Sequence, residues 1–199
     1  MNDSCFFDVL KEYEFEIDEG VVRQKHIETL NHSIRCFEMA EKFGLYLGYK
    51  GEDIKILSHC SLLHDLGKFY LNEKILYKVE RLTDDEFGHL KTHVNHMDLY
   101  DKAKFHELIL ETIKYHHDNF METGYNKINI GLKHEFVRIV AIVDCFDAMV
   151  SKRCYSSHVL TVDEALHEIF INLGKQFDLH YGMEFIKFIK GENYMDIVV

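Results

Sequence analysis

The sequence contains no proline, although average usage of about 5% would place roughly ten prolines in a chain of 199 residues. Glycine and polar clusters must therefore separate the secondary-structure elements. The sequence also lacks any apolar run of the ~18 residues needed to cross a bilayer. Its N-terminal stretch, MNDSCFFDVLKEYEFEIDEG, is acidic and does not resemble a signal peptide. We therefore expect no membrane partner.

Clusters of basic residues are absent as well. The chain carries 23 Lys and Arg against 34 Asp and Glu, a formal net charge of −11, whereas binding to duplex nucleic acid requires clustered Lys and Arg. We expect no duplex nucleic acid partner. The same charge would repel a phosphate substrate unless bound divalent cations reverse the local field. The five cysteines form no CxxC pair, so we expect reduced thiols and a cytoplasmic location.

Helical periodicity recurs along the chain, and no segment alternates strictly between apolar and polar residues. The pattern predicts helices over residues 22–47, 52–64, 103–117, 133–151 and near 183–190. TDDE at 83–86 and TVDE at 161–164 are capping-box signatures that predict two more helix starts. The longest irregular stretch, 118–131, has a length typical of functional loops. We predict an all-α bundle that forms one domain over residues 1–199, with its core at about 24–180.

The segment HDLGK, residues 64–68, ends an apolar helical stretch with a histidine and an aspartate. Imidazole and carboxylate together suit a borderline transition metal, and one aspartate can bridge two ions through its two oxygens. On its own, the pair His64-Asp65 is more often a helix cap or a surface pair. Glu28 and His32 share a helix face because they are four residues apart, yet most such pairs are solvated neighbours.

A second group of histidines follows the first capping box. His89, His93 and His96 recur at four- and three-residue steps, so we expect them to share one face of the helix that begins at Thr83. One or two of the three could instead be exposed residues that bind no metal.

Two further candidates lie later in the chain. His116 and His117 are adjacent and stand directly before the irregular stretch 118–131. Asp144 lies in the apolar segment IVDCFDAM, where burial of an unpaired carboxylate is costly. A nearby cation would remove that cost, and so would Arg138 or a helix terminus.

The candidates form an ordered set spread over five predicted helices. In chain order they are His32, His64-Asp65, His93, His116-His117 and Asp144. Together with HDLGK, the GY that begins seven residues after His117, and the segment DCFDAMVSKRCYS, this order resembles the HD-GYP subgroup of the HD phosphohydrolase superfamily. Members of that subgroup are cyclic di-GMP phosphodiesterases. The resemblance runs from about residue 24 to 180.

The chain departs from the subgroup's pattern in the loop after the paired histidines. The usual His-His-Glu-x-Trp-Asp-Gly-x-Gly-Tyr-Pro reads here as HHDNFMETGYN, with unchanged spacing. Asp118 replaces the glutamate, Phe120 the tryptophan and Asn126 the final proline, while Met121-Glu122 replaces Asp-Gly. Ser156 stands where many members have a basic residue. These departures leave the metal positions unchanged, but they affect positions expected to determine substrate binding and specificity.

The resemblance implies a centre of two or three divalent metal ions. Its ligands would be His32, His64, Asp65, His93, His116, His117 and Asp144, with Asp65 bridging two ions and Glu28 bound to a third. Mixed imidazole and carboxylate ligation favours iron or manganese, with zinc or nickel as alternatives. A hydroxide held between the metals would attack phosphorus in line, so no side-chain nucleophile is required.

Three more residues are candidates for substrate binding. Lys68 could reach a phosphate oxygen or the departing 3′-oxygen, which would make it catalytic together with Asp65; the alternative is a surface lysine. Arg153 is suited to clamp a phosphate through its fork of donors, and the alternative is a salt bridge to Asp147. Tyr125 could stack on a guanine, line the pocket or simply pack the loop.

The leading hypothesis is a phosphodiesterase that hydrolyses cyclic di-GMP to the linear dinucleotide or GMP. The alternatives are an HD-type hydrolase acting on another cyclic dinucleotide or a mononucleotide, and a non-catalytic module that binds nucleotide or a partner. About 25 residues precede the core, too few for a sensor domain, so for a complete chain we expect regulation by a partner protein, by metal state or by substrate level. A homodimer is a further option. The other histidines are expected to be surface or satisfied core residues: His26, His59, His89, His96, His106, His134, His158, His167 and His180.

Overall fold

The computed structural model describes residues 3–99, 101, 103–152 and 159–191. Within these ranges the chain forms ten α-helices and no β-strand, which confirms the prediction of an all-α fold. The helices are α1 Ser4–Glu12, α2 Glu19–Lys25, α3 Ile27–Tyr46, α4 Gly51–Leu63, α5 Glu73–Leu76, α6 Asp84–Lys91, α7 Glu107–Tyr115, α8 Glu135–Val150, α9 Val162–Ile171 and α10 Leu179–Gly191. Three 3₁₀ helices lie between them: Leu66–Tyr70, Thr92–Leu99 and Ile130–Leu132. No helix in this part of the chain combines the length and the apolar character needed to cross a bilayer.

The core lies where α3, α4, α7 and α8 pack against one another. α4 and α8 are enclosed by these neighbours, so their side chains are buried around most of the helix. Leu57 and Leu62 of α4 and Val140, Val143 and Phe146 of α8 are fully buried. Burying a leucine- or phenylalanine-sized side chain contributes about 1.5–3 kcal/mol relative to leaving it exposed. The same four helices carry most of the candidate ligands, so the packed core fixes the positions of those residues.

Both capping boxes are confirmed. The Thr83 hydroxyl accepts a hydrogen bond from the Glu86 backbone N–H at 3.3 Å, and the Glu86 carboxylate accepts one from the Thr83 N–H at 2.8 Å. Thr161 and Glu164 repeat the arrangement at 3.3 and 2.8 Å. Each box satisfies two backbone donors that the helix start leaves unpaired. α6 and α9 therefore begin where the sequence places them.

The prediction of a continuous helix over 22–47 is wrong. The chain breaks at His26, whose backbone angles are φ −129° and ψ 25°, and α2 and α3 lie on either side of it. The His26 ring is buried against Phe69, with 5.7 Å between ring centroids. Because the break places this ring in the core, tertiary packing outweighs the local helical pattern.

The prediction that His89, His93 and His96 share one helix face is also wrong. α6 ends at Lys91, and the chain continues as a 3₁₀ helix that is interrupted at His96. His89 is exposed whereas His93 is fully buried. The other predicted boundaries differ by a few residues, and α10 begins at Leu179 rather than near 183.

Candidate metal centre

Three of the candidate histidines lie at or just after the C-terminal end of a helix. His64 follows α4, His93 follows α6 and His116 follows α7. In each ring Nδ1 donates to a backbone carbonyl three or four residues earlier, at 2.6, 2.7 and 3.0 Å respectively. This hydrogen bond assigns a proton to Nδ1, so that Nε2, once it carries no proton, can serve as a lone-pair donor directed into the protein. Among the described residues, these buried Nε2 atoms have no hydrogen-bond partner.

Asp65 lies between these rings and is fully buried. Its Oδ1 is 3.5 Å from Nε2 of His93 and 3.6 Å from Nε2 of His116. Its Oδ2 is 3.3 Å from Nε2 of His64 and 3.7 Å from Nε2 of His32. Each carboxylate oxygen therefore faces a different pair of imidazoles. That is the arrangement expected of a carboxylate that bridges two cations.

The candidate ligands form two groups, and within each group the donor atoms all lie within 4.8 Å of one another. One group consists of Asp65, His93, His116 and His117, and the other of His32, His64 and Asp144. Asp144 Oδ1 lies 3.0 Å from Nε2 of His32 and 3.7 Å from Nε2 of His64. The seven residues that the sequence selected thus converge on one buried region.

Gly67 allows this convergence. A Cβ atom at position 67 would lie 1.9 Å from the carbonyl oxygen of His93. Only a glycine lets the two backbones approach so closely. The glycine of HDLGK therefore brings the 3₁₀ helix that carries it against the one that carries His93.

The carboxylates and rings strongly perturb one another. Burial alone would raise the pKa of Asp65, but the Lys68 ammonium and the His64 ring hold that pKa well below its usual value. Burial would lower the pKa of His64, but Asp65 and Asp144 raise it to about 10. Burial and the Lys68 charge lower the pKa of His93 to about 3. A cation among these groups would replace the proton that the carboxylates hold on His64.

Lys68 and Glu28 lie at the edges of the centre. The Lys68 ammonium donates to Asp65 Oδ2 at 2.6 Å, and the lysine lines a cavity of about 260 Å³ together with His117 and Asp144. Glu28 is partly buried and lines a smaller cavity that also contains His32, Asp65 and Lys68. Glu28 therefore stands beside the second group of donors without being part of its tight cluster.

Of the two other predicted substrate contacts, Tyr125 and Arg153, only Tyr125 lies within the described residues. The Tyr125 ring packs on the His117 ring with 4.4 Å between centroids and an interplanar angle of 38°. It also lies beneath the Lys91 ammonium, 5.3 Å from it. Arg153 lies outside the described residues.

The sequence did not indicate that Asp147 and Arg35 support the centre. The buried carboxylate of Asp147 accepts from His32 Nδ1 at 2.6 Å and from Arg35 Nε and Nη2 at 2.7 and 2.9 Å. A carboxylate on the far nitrogen of a ligating histidine fixes the ring orientation and raises its basicity. The available signal was an aspartate one helical turn after Asp144, inside the quoted segment DCFDAM.

The structure decides which residues offset the cost of burying Asp144. Arg138 pairs with Asp178 at 2.5 Å, so the cost of burying Asp144 is offset by the His32 and His64 rings and not by that arginine. Asp147, the alternative partner for Arg153, is bound by Arg35; Arg153 itself lies outside the described residues.

Several of the remaining histidines have structural roles. His59 accepts or donates a hydrogen bond of 2.7 Å with the Tyr13 hydroxyl in the core. His106 and His134 cap α7 and α8, their rings accepting a backbone N–H two residues later. His96 is partly buried beside Tyr70, 6.3 Å between ring centroids, and belongs to neither group of donors.

The donor set fits divalent transition metals. Among the candidate ligands, four buried imidazole nitrogens and one carboxylate oxygen lack hydrogen-bond partners in the described residues: Nε2 of His64, His93, His116 and His117, and Oδ1 of Asp65. Leaving several polar atoms unpaired in a protein interior costs about 1–3 kcal/mol each. Metal coordination would satisfy all of them at once. Mixed imidazole and carboxylate donors suit iron, manganese, zinc and nickel.

The chain belongs to the HD domain family. Residues 29–149, which contain all the proposed ligands except Glu28, match that family. The fold is similar to that of Bd1817, an HDG"Y"P protein from Bdellovibrio bacteriovorus, with a TM-score of 0.63 and 17% identity over 80% of this chain and 52% of that one.

Three relatives are named as phosphodiesterases of cyclic dinucleotides, which supports the resemblance to the HD-GYP subgroup. The chain is 29% identical to the cyclic di-GMP phosphodiesterase response regulator RpfG of Xanthomonas campestris pv. campestris, over 79% of this chain and 46% of that protein. It is 28% identical to a cyclic di-GMP phosphodiesterase of Thermotoga maritima, over 93% and 52%. It is 26% identical to the 3′3′-cGAMP-specific phosphodiesterase 2 of Vibrio cholerae, over 80% and 31%. The chain thus spans about half or less of the length of these relatives.

Proposed function

We propose that the chain is a metal-dependent phosphodiesterase that hydrolyses cyclic di-GMP. The observation that carries the proposal is the position of Asp65, whose two oxygens face separate pairs of imidazoles at 3.3–3.7 Å. Two cations held there would act as Lewis acids on the phosphoryl group and lower the pKa of the attacking water. Iron or manganese is the proposed metal, with zinc or nickel as alternatives. Glu28 is proposed to bind a third ion.

Lys68 is proposed to hold the reacting phosphate. Its ammonium lies 2.6 Å from the proposed bridging carboxylate and lines the same cavity as His117 and Asp144. A phosphate at the metal centre would therefore lie within reach of this ammonium. Charge-assisted hydrogen bonds to phosphate oxygens are roughly twice as strong as neutral ones. Lys68 would bind the phosphate and stabilise the departing 3′-oxygen as negative charge develops on it.

The far side of the cavity suits a nucleoside. Ala141, Cys145 and Ala148 present small side chains along one face of α8, and the exposed Gln176 also lines the cavity. An amide can donate and accept, so it can hydrogen-bond the edge of either guanine or adenine. This feature and the 3′3′-cGAMP-specific relative make 3′3′-cGAMP the second candidate substrate.

The test combines metal content with turnover on one sample. Protein purified anaerobically should contain two or three iron or manganese ions per chain and should cleave cyclic di-GMP to the linear dinucleotide or GMP. His117→Ala should lose one ion and the cleavage while far-ultraviolet circular dichroism stays helical. His89→Ala is the matched control, because His89 is exposed and outside the donor groups. If the protein binds metal but cleaves only 3′3′-cGAMP, then 3′3′-cGAMP and not cyclic di-GMP is its substrate. Full activity in His117→Ala would refute the assignment of His117 as a ligand.

We also propose a cytoplasmic location. Cys5 and Cys60, both in the described ranges, are free thiols, as expected in a reducing compartment. Regulation is proposed to come from a partner protein, from metal state or from substrate level, and a homodimer is a further proposal.

A further inference from the structure

The loop after His117 folds back onto the helix it leaves. Asp118 is buried, and its Oδ1 accepts a hydrogen bond from the backbone N–H of Asn126 at 2.9 Å. Its Oδ2 accepts a second one from Nδ2 of Asn126 at 2.8 Å. The same Nδ2 donates to the carbonyl of Lys114, in the last turn of α7, at 2.6 Å. Asp118 and Asn126 together are called the loop latch below.

The loop latch holds the intervening backbone close to the metal centre. A Cβ atom at position 124 would lie 2.4 Å from both the Cα of Asp118 and the carbonyl oxygen of His117. Gly124 is therefore required for the chain to cross there. The crossing places Tyr125, the neighbour of Asn126, with its ring on the His117 ring, 4.4 Å between centroids.

His117 differs from the other candidate ligands in how its ring is oriented. His64, His93 and His116 are each fixed by a hydrogen bond from Nδ1 to a backbone carbonyl, and His32 is fixed by a carboxylate. Within the described ranges no residue forms a hydrogen bond to the His117 ring. The orientation of this ring therefore depends on packing, and the Tyr125 ring is part of that packing.

The loop latch also accounts for two departures from the subgroup's usual loop. The chain has Asp118 where glutamate is usual and Asn126 where proline is usual. Proline has no backbone N–H and could not donate to the carboxylate at position 118. The two replaced residues contact each other through two hydrogen bonds, so they form a matched pair in this chain.

We propose that Asp118 and Asn126 are positioning residues that hold Tyr125 against His117 and so orient this imidazole toward the metal. The inference rests on the proposed function for the presence and the identity of the ion at His117. Loss of a group that orients a metal ligand typically costs 10–100-fold in metal affinity. Asn126→Ala should therefore weaken Mn²⁺ binding to the group that contains His117 by about tenfold.

Whether Asn126 acts on His117 through Tyr125 is tested by combining variants. Tyr125→Ala should weaken the same Mn²⁺ site as Asn126→Ala, whereas Tyr125→Phe should leave it unchanged because the ring is retained. If the latch acts through Tyr125, the double variant Asn126→Ala/Tyr125→Ala should be no weaker than Tyr125→Ala alone. Fully additive losses would overturn the proposed order.

Asn129→Ala is the matched control for the loss of an asparagine in the same loop. Asn129 accepts from the Gly131 N–H at 2.9 Å and donates to the Phe120 carbonyl at 3.4 Å, away from His117. Its replacement should lower the unfolding temperature without changing Mn²⁺ affinity, as isothermal titration calorimetry would show. Equal effects of Asn126→Ala and Asn129→Ala on Mn²⁺ affinity would reduce the latch to general loop stability and overturn the proposal.

A readout that needs neither metal nor substrate separates this inference from the proposed function. The Tyr125 ring should shift the nuclear magnetic resonance signal of the His117 Hε1 proton through its ring current, and Asn126→Ala should reduce that shift. A wild-type chain that binds no Mn²⁺ and cleaves no cyclic di-GMP would overturn the proposed function, while the Hε1 shift still decides the latch. An unchanged Hε1 shift in Asn126→Ala would overturn the latch, whatever the enzyme cleaves.

Discussion

Replacing Asp147 by asparagine should weaken metal binding and destabilise the fold by separate, measurable amounts. The Asp147 side chain is almost fully buried and accepts hydrogen bonds from His32, from two nitrogens of Arg35 and from the Ser151 hydroxyl. Burial would raise the pKa of this carboxyl, but the hydrogen bonds from His32 and Arg35 lower it below its usual value. Asparagine keeps the shape but turns one acceptor oxygen into a donor that faces other donors.

The size of the stability loss depends on the burial of the Asp147 carboxylate and on the exposure of its partner Arg35. Removing one partner of a buried ion pair costs about 3–5 kcal/mol, but the Arg35 side chain is 36% exposed and water would solvate part of its charge. We therefore expect about 2–3 kcal/mol, close to the strength of a charged hydrogen bond. For a chain of this size that is a fall of roughly 4–12 °C in Tm.

The loss of metal affinity has a different origin. Without the carboxylate, the His32 ring is held less firmly and its Nε2 becomes a weaker base. Changes of this kind cost about 10–100-fold in metal affinity, which corresponds to roughly 1.4–2.8 kcal/mol. Calorimetric titration of chelator-treated protein with Mn²⁺ measures this term, and thermal unfolding in the presence of EDTA measures the stability term.

Asp178→Asn is the control for this prediction. Asp178 forms a comparable buried ion pair with Arg138, at 2.5 Å, and also caps the start of α10. The control should lower Tm at least as much as Asp147→Asn and leave Mn²⁺ affinity within about twofold of the wild type, since neither Asp178 nor Arg138 belongs to a donor group or contacts one of its histidines. Wild-type metal affinity in Asp147→Asn, or an equal loss in Asp178→Asn, would refute the reasoning.

Two further predictions concern the approach of backbones and the role of metal in stability. Gly67→Ala should destabilise the fold by about 1–3 kcal/mol or more, as overpacked sites do, and should reduce metal content, because the added Cβ would lie 1.9 Å from the His93 carbonyl oxygen. Gly88→Ala is the control, since a Cβ there meets nothing within 4 Å. Wild-type metal content and Tm in Gly67→Ala would contradict the prediction. Removing bound Mn²⁺ with EDTA should lower Tm, since a ligand at 100 times its Kd stabilises the folded state by about 2.7 kcal/mol, and this difference should shrink in His117→Ala; a Tm that EDTA does not change would show that the donors are satisfied without metal.

The sequence predicted the elements whose signals are local. Both capping boxes placed helix starts correctly, because the residues that make each box are three apart and interact wherever the chain goes. The break at His26 had no such signal. Neither glycine nor proline marks it, and the burial of its ring against Phe69 depends on residues more than forty positions away.

The same distinction applies to the candidate centre. The pattern of histidines and aspartates identified the residues that converge, through order and spacing along the chain. It did not identify Arg35 and Asp147, because they are 112 residues apart and meet only when α3 packs on α8. It also did not show that Asp118 and Asn126 interact, although both positions stood out as departures from the usual loop.

The way each imidazole is oriented explains which supporting residues the sequence could reveal. A histidine at a helix C-terminus needs none, since the last carbonyls of a helix lack intrahelical partners and can accept the Nδ1 hydrogen; His64, His93 and His116 use this arrangement. His32 lies within α3, where the backbone carbonyls are already paired, so it needs a carboxylate from another helix. His117 lies beyond the end of α7 and packs against an aromatic ring. Position relative to a helix end therefore predicts whether a ligating histidine requires a distant partner, and substitutions of Asp147 and of the loop latch should each weaken only the group of donors they support.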